Sequence, residues 1–162
     1  MKLEQALEIA ERVKKELSPF CERIEIGGSI RRRKPIVGDI EIIVIPKPYD
    51  VGMFESGIAT IVKKWEKVKG ELPCKYTQRI LPEGIKLDLF FATKENWGLI
   101  YALRTGSANY SHHILGKKWV ELGYKSISGK LTKDGVLIPV YEESDLFELL
   151  CIPYVIPNLR NL

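Results

Sequence analysis

Gly27-Gly28-Ser29-Ile30-Arg31-Arg32-Arg33-Lys34-Pro35-Ile36-Val37-Gly38-Asp39-Ile40-Glu41-Ile42-Ile43-Val44 decides how this chain is read. From Asp39 onward, acids and aliphatics alternate. In an extended strand, side chains two positions apart leave the same face, about 6.5 Å apart along the backbone. Asp39 and Glu41 therefore project together, while Ile40, Ile42 and Val44 point the other way. Upstream, residues 23–26 read as a strand that runs into paired glycines. Glycine lets a backbone approach a ligand closely and offers its N–H groups to anions. Arg31, Arg32, Arg33 and Lys34 follow at once, and such cations make charge-assisted, sometimes bidentate contacts with phosphate oxygens.

Further on, the alternating run of residues 86–91 carries a third acid, Asp88, next to Lys86. Apolar neighbours flank all three acids, so a pleated sheet must present the charges at its rim. Three hard carboxylates suit Mg²⁺, with Mn²⁺ also acceptable, and two such ions roughly 3.5–4 Å apart support displacement at phosphorus. An Asp-x-Glu on its own is usually a solvated strand face, and a basic run is often a solvated turn or a localisation signal. It is the conjunction of glycine turn, basic run and dicarboxylate strand that turns the reading toward a triphosphate cradle.

The 162 residues are 45% hydrophobic, enough for one buried core or two subdomains, and exclude a disordered chain. A net charge of +4 permits nucleic-acid binding without arguing for it. Distribution says more: Lys117, Lys118, Lys125, Lys130 and Lys133 meet only Glu121 before Asp134, as a face toward a phosphodiester backbone would, or a solvated helix face. Cys21, Cys74 and Cys151 have no metal-ligand spacing and read as reduced thiols, which implies an intracellular protein, cytoplasmic in a cell or in a virus-infected host. No signal peptide or membrane span is evident.

Leu3, Leu7, Ala10, Val13 and Leu17 predict a helix over residues 2–17, stopped by Ser18-Pro19. After the two motif strands come a connection at residues 46–52 and a second helix marked by Phe54, Ile58, Ile61, Val62 and Trp65. Strands at residues 75–81 and 85–92 are joined by a turn at Pro82-Glu83-Gly84. Beyond a boundary near residue 93 follow a helix through Trp97 and Tyr101, another over residues 107–122, a hairpin at Asp134-Gly135 and a last helix over residues 145–151. The class is α+β: a mixed sheet with flanking helices over residues 1–93, and a small α/β unit over 94–162. Trp97, Tyr101 and Tyr110 read as core, with Tyr110 the best of them for a place near a nucleotide. Of His112 and His113, one is expected to pack and the other to be solvated.

The stretch from Gly27 to Val44 resembles the palm signature of the family X DNA polymerases, the group that contains polymerases beta and lambda. Arg104-Thr105-Gly106-Ser107 resembles that family's loop after the palm. Ser144-Asp145-Leu146-Phe147 and Ile152-Pro153-Tyr154 resemble its C-terminal signature, so the likeness spans nearly the whole chain. The resemblance implies a polymerase beta-like nucleotidyltransferase palm (1–93) with a nucleotide-binding thumb (94–162), in a minimal monomeric form or as an excised fragment. It implies that Asp39, Glu41 and Asp88 hold two catalytic Mg²⁺ ions. Gly28, Ser29, Arg32, Gly38, Arg104, Thr105, Gly106, Ala108 and Ser111 would bind a nucleoside triphosphate, and Arg31, Lys86, Lys117 and Lys118 would contact DNA. Leu103-Arg104 stands where those polymerases have a sugar-selecting aromatic pair. Ser111 replaces a base-contacting asparagine, and Leu115 an arginine that touches the template. The implied activity is DNA-directed DNA synthesis at a primer 3′-hydroxyl, in short-gap repair. A template-independent terminal transferase and a non-catalytic DNA-end-binding module are the alternatives.

Overall fold

Leu3–Leu17 forms helix α1 because Ala6, Ala10, Val13 and Leu17 recur at helical spacing, and all four are fully buried. Leu7, expected in that stripe, lies at its rim, and Ala6 takes its place. The helix ends in a 3-10 turn, where the Ser18 hydroxyl donates to the Lys14 carbonyl at 2.6 Å. The computed structural model describes residues 1–48 and 57–162, and the chain divides into two compact units, Met1–Ala92 and Thr93–Leu162.

In the first unit, β1 (Cys21–Ile26), β2 (Asp39–Pro46), β3 (Glu66–Lys69), β4 (Tyr76–Ile80) and β5 (Lys86–Phe91) form one sheet in the order β1-β2-β5-β4-β3. β2 and β5 are parallel and every other pair is antiparallel, so the sheet is mixed. Ile40, Ile42, Val44, Leu87 and Leu89 form one core with α1 and with α3 (Ile58–Val62). Each fully buried aliphatic contributes about 1.5–3 kcal/mol. A slip of one residue would exchange these side chains for the acids, so burial on this face fixes the register of the other.

Two features depart from the expectations. The second helix covers only Ile58–Val62, so Trp65 lies beyond its end; Phe54 and part of the preceding connection, residues 49–52, fall outside the described residues. β3 has no periodic signature, because all four of its residues are exposed, and it exists by pairing with β4.

The second unit opens with α4 (Trp97–Thr105). Ser107 then caps a long helix made of α5 (Ala108–Tyr110), a π-helical segment (Ser111–Gly116) and α6 (Lys117–Glu121). β6 (Lys125–Ile127), β7 (Lys130–Lys133) and β8 (Val136–Ile138) form a small antiparallel sheet, and α7 (Glu143–Leu149) follows. The expected hairpin turn is present, with Asp134 and Gly135 at φ 51° and 75°, while β6 is an additional strand. Leu99, Ala102, Tyr110, Leu115, Leu131, Leu146 and Phe147 make its core. Gly98 is required for close packing, since a Cβ there would lie 2.2 Å from the Glu142 carbonyl oxygen.

A charged pair is sealed into this unit. Arg160 is fully buried, and its Nη1 donates to Glu143 Oε1 at 2.7 Å while its Nε donates to the Val155 carbonyl at 2.8 Å. The guanidinium lies 5.0 Å from the Phe147 ring centroid and 5.2 Å from that of Tyr154. Cys21, Cys74 and Cys151 form no disulfide, and among the described residues no helix is long and apolar enough to cross a membrane.

Candidate active site

Asp39 and Glu41 open β2, and the parallel register sets Asp39 opposite Lys86 and Glu41 opposite Asp88. All three acids therefore stand on one face of the sheet, away from the aliphatic core. Asp88 is the most enclosed, at 7% exposure, while Asp39 and Glu41 are half-buried. The Asp39 and Asp88 carboxyls lie close enough to interact. Burial pushes the Asp39 carboxyl above the usual carboxylate range, and the Asp88 charge adds to the shift, with Lys86 opposing it.

The glycine turn is built around Glu41. The Gly27 N–H donates to the Glu41 carbonyl at 2.8 Å, and α2, a single helical turn, covers Gly28–Arg31. Gly28 adopts φ +59°, and a Cβ built on it would fall 1.7 Å from Glu41 Oε2. The left-handed backbone favours glycine there, and any side chain would displace the Glu41 carboxyl. The Ser29 hydroxyl is buried with no hydrogen-bond partner. Arg32 caps α2, half-buried; burial lowers its pKa, and the nearby charges of Glu41 and Asp39 counter that. Gly38 is different: a Cβ there would meet nothing within 4 Å, so the protein's own packing does not demand glycine. Arg31 is half-buried at the end of α2, and Lys86 is exposed at the head of β5.

The donor set suits a hard divalent cation, three carboxylates and no sulfur or imidazole. Yet among the described residues no three such side chains converge on one point. Asp39 and Asp88 face each other, and the Glu41 carboxyl is turned against Gly28.

The remaining sequence-named residues lie in the second unit. Thr105 is fully buried, and its hydroxyl donates to the Tyr101 carbonyl at 2.6 Å. Gly106 ends α4, and Ser107 accepts from the Tyr110 N–H at 3.1 Å. Arg104 and Ala108 are exposed. The Ser111 hydroxyl donates to the Leu103 carbonyl at 2.8 Å, which commits it to the helix junction. Leu115 is core; Lys117 is exposed, and Lys118 faces Glu121 at 3.9 Å. Tyr110 is buried, its hydroxyl without a partner and its pKa raised by burial. Both His112 and His113 are exposed, their rings edge-on at 4.8 Å, so neither packs as expected: the π segment turns both to solvent.

Two residues near the acids escaped the sequence reading. The Tyr76 hydroxyl and the Gln78 side-chain amide both donate to Asp88 Oδ1, at 2.5 and 2.7 Å. Only the β4–β5 register, with Gln78 opposite Asp88, brings them there.

No protein-family model and no curated protein matches the sequence. Solved structures do. A ternary P/T complex of Leishmania infantum polymerase beta superposes with a TM-score of 0.72 at 19% identity, covering 100% of this chain and 77% of that one. A ternary gap complex of the same polymerase gives a TM-score of 0.73 at 19% identity, over 99% of this chain and 70% of that one. This chain has the polymerase beta fold. At this identity the likeness is one of architecture, and the three acids, the glycine turn and Arg32 stand on that architecture as this chain's own residues.

Proposed function

We propose that the protein is a two-metal, DNA-directed DNA polymerase that adds one nucleotide from a nucleoside triphosphate to a primer 3′-hydroxyl, acting in short-gap repair synthesis. The observation that carries this reading is the parallel pairing of β2 with β5, which sets Glu41 opposite Asp88 and brings Asp39 close to Asp88 on the polymerase beta fold. In this reading the unit Met1–Ala92 is the catalytic palm and Thr93–Leu162 the nucleotide-binding thumb.

Asp39 and Asp88, together with Glu41 once its carboxyl leaves Gly28, would hold divalent cations. Two Mg²⁺ ions, when bound, neutralise phosphate charge and make the primer hydroxyl a better nucleophile. Asp88 takes the hydroxyl proton. The new bond forms between the primer 3′-oxygen and the α-phosphorus, and the bond from that phosphorus to the pyrophosphate oxygen breaks. Ser29, whose hydroxyl has no partner of its own, and Arg32 hold the outer phosphates. Lys86 and Arg31, with Lys117 and Lys118 of the second unit, meet DNA phosphates.

Primer extension on a one-nucleotide-gapped duplex with Mg²⁺, offering each deoxy- and ribonucleotide singly, tests this reading against an Asp88→Ala control. Incorporation set by the templating base and lost in the control supports it. Incorporation indifferent to the template favours a terminal transferase, for which the burial of Leu115 speaks. DNA binding without incorporation leaves a non-catalytic module.

A further inference from the structure

We infer that Tyr76 and Gln78 are positioning residues that fix the Asp88 carboxylate so that Oδ2 is the oxygen presented to a cation. The inference rests on the reading above that Asp88 is a metal ligand.

The two donors come from alternate positions of β4 and converge on a single atom. Gln78 lies directly across from Asp88, and its amide reaches Oδ1 at 2.7 Å. Tyr76 lies across from Phe90 and reaches Oδ1 diagonally, at 2.5 Å. A carboxylate oxygen has two in-plane lone pairs, so two donors fill Oδ1. A carboxylate pinned at one oxygen by two fixed donors has no torsional freedom left, and the direction of Oδ2 is set by the sheet.

The Tyr76 donor is itself held. The Tyr76 ring stacks on Phe90 with centroids 5.0 Å apart and an interplanar angle of 23°, and Lys69 Nζ lies 5.3 Å from its centroid on the other strand neighbour, β3. Both donors are also uncharged. A lysine or arginine at either position would neutralise Asp88 and compete with a cation, whereas a hydroxyl and an amide orient the carboxylate and leave its negative charge in place. This is how partners of metal-bound carboxylates act, and removing them commonly costs 10- to 100-fold in metal affinity.

A merely structural role, satisfying a buried oxygen, would change stability and nothing else. The test therefore uses Tyr76→Phe, which keeps the ring stack, Gln78→Met, which keeps the length, and the two combined. Mn²⁺ binding without DNA or nucleotide, followed by the loss of the free-ion signal in electron paramagnetic resonance, is the first readout. The Mg²⁺ concentration for half-maximal incorporation is the second. The double variant is expected to bind Mn²⁺ about tenfold or more weakly and to need correspondingly more Mg²⁺, with the nucleotide KM unchanged and each single variant intermediate. If the double variant fails to fold, the singles carry the same test, each about threefold weakened. Unchanged Mn²⁺ affinity in variants that fold overturns the inference. Asp88→Ala separates the two levels: if it abolishes Mn²⁺ binding while the β4 variants do not, only the positioning role fails. If wild-type protein and Asp88→Ala bind Mn²⁺ alike, the reading of Asp88 as a ligand fails and takes the inference with it.

Discussion

Asp88 and Glu143 are buried to nearly the same extent, 7% and 6% exposed, and are treated in opposite ways. Glu143 faces a fully buried arginine across 2.7 Å, with two aromatic rings closing over the cation. Asp88 receives two neutral donors on one oxygen and lies against a second acid, Asp39. A charge buried for the sake of the fold is cancelled where it sits. In the function proposed above, Asp88 is oriented by neutral donors, and a bound cation would offset the cost of burying its charge.

The sharpest way to break this contrast is to truncate one charged residue on each side. Asp39→Ala should lower single-turnover incorporation about a thousandfold or more, the equivalent of several kcal/mol of lost charge stabilisation, while the melting temperature holds or rises. Near-normal incorporation would remove the site from the β2–β5 face. Arg160→Met should do the reverse. It strands Glu143 as an uncompensated buried charge, at a cost of about 3–5 kcal/mol seen in denaturant unfolding. A loss under 1 kcal/mol would show that Glu143 finds another partner.

Gly28→Ala sits between the two. Its Cβ would enter the space of Glu41 Oε2 at a left-handed φ, so a loss of about 1–3 kcal/mol accompanied by weakened Mn²⁺ binding is expected. Stability lost with Mn²⁺ binding intact would detach Glu41 from the cation site.

The smallest effect is a pH dependence in metal-free buffer. The Asp39 pKa is raised in the folded state, so the folded protein resists losing that proton. Stability from this group is therefore greatest below the ordinary carboxylate pKa and falls as pH rises through the folded value. Asp39→Asn should flatten that decline, and parallel wild-type and variant curves would exclude it.

The sequence made some of this legible and hid the rest for physical reasons. The strand character of β2 and β5 shows in their alternation, since one face had to be aliphatic. β3 was unreadable because its four residues face solvent and only pairing with β4 makes them a strand. Gly28 announces itself as a glycine, but its cause is a contact with Glu41, on another element. Tyr76 and Gln78 look like ordinary strand residues until the register with β5 is known. The π segment is silent in the sequence, because helical periodicity does not report which carbonyl each N–H chooses. The partnership of Glu143 and Arg160 is equally hidden, since neither residue carries a mark of the other.

Because β2 and β5 run parallel, no hairpin turn can join them, and α3, β3 and β4 lie between them along the chain. Asp88 therefore meets Asp39 and Glu41 only once a non-local pairing has closed, against the entropy of that loop and the repulsion of like charges. In the function proposed above, a divalent cation bound there would favour the completed pairing by mass action. A peptide of residues 27–46 would carry Gly28, Arg32, Asp39 and Glu41 and lack Asp88, the third acid of the proposed site.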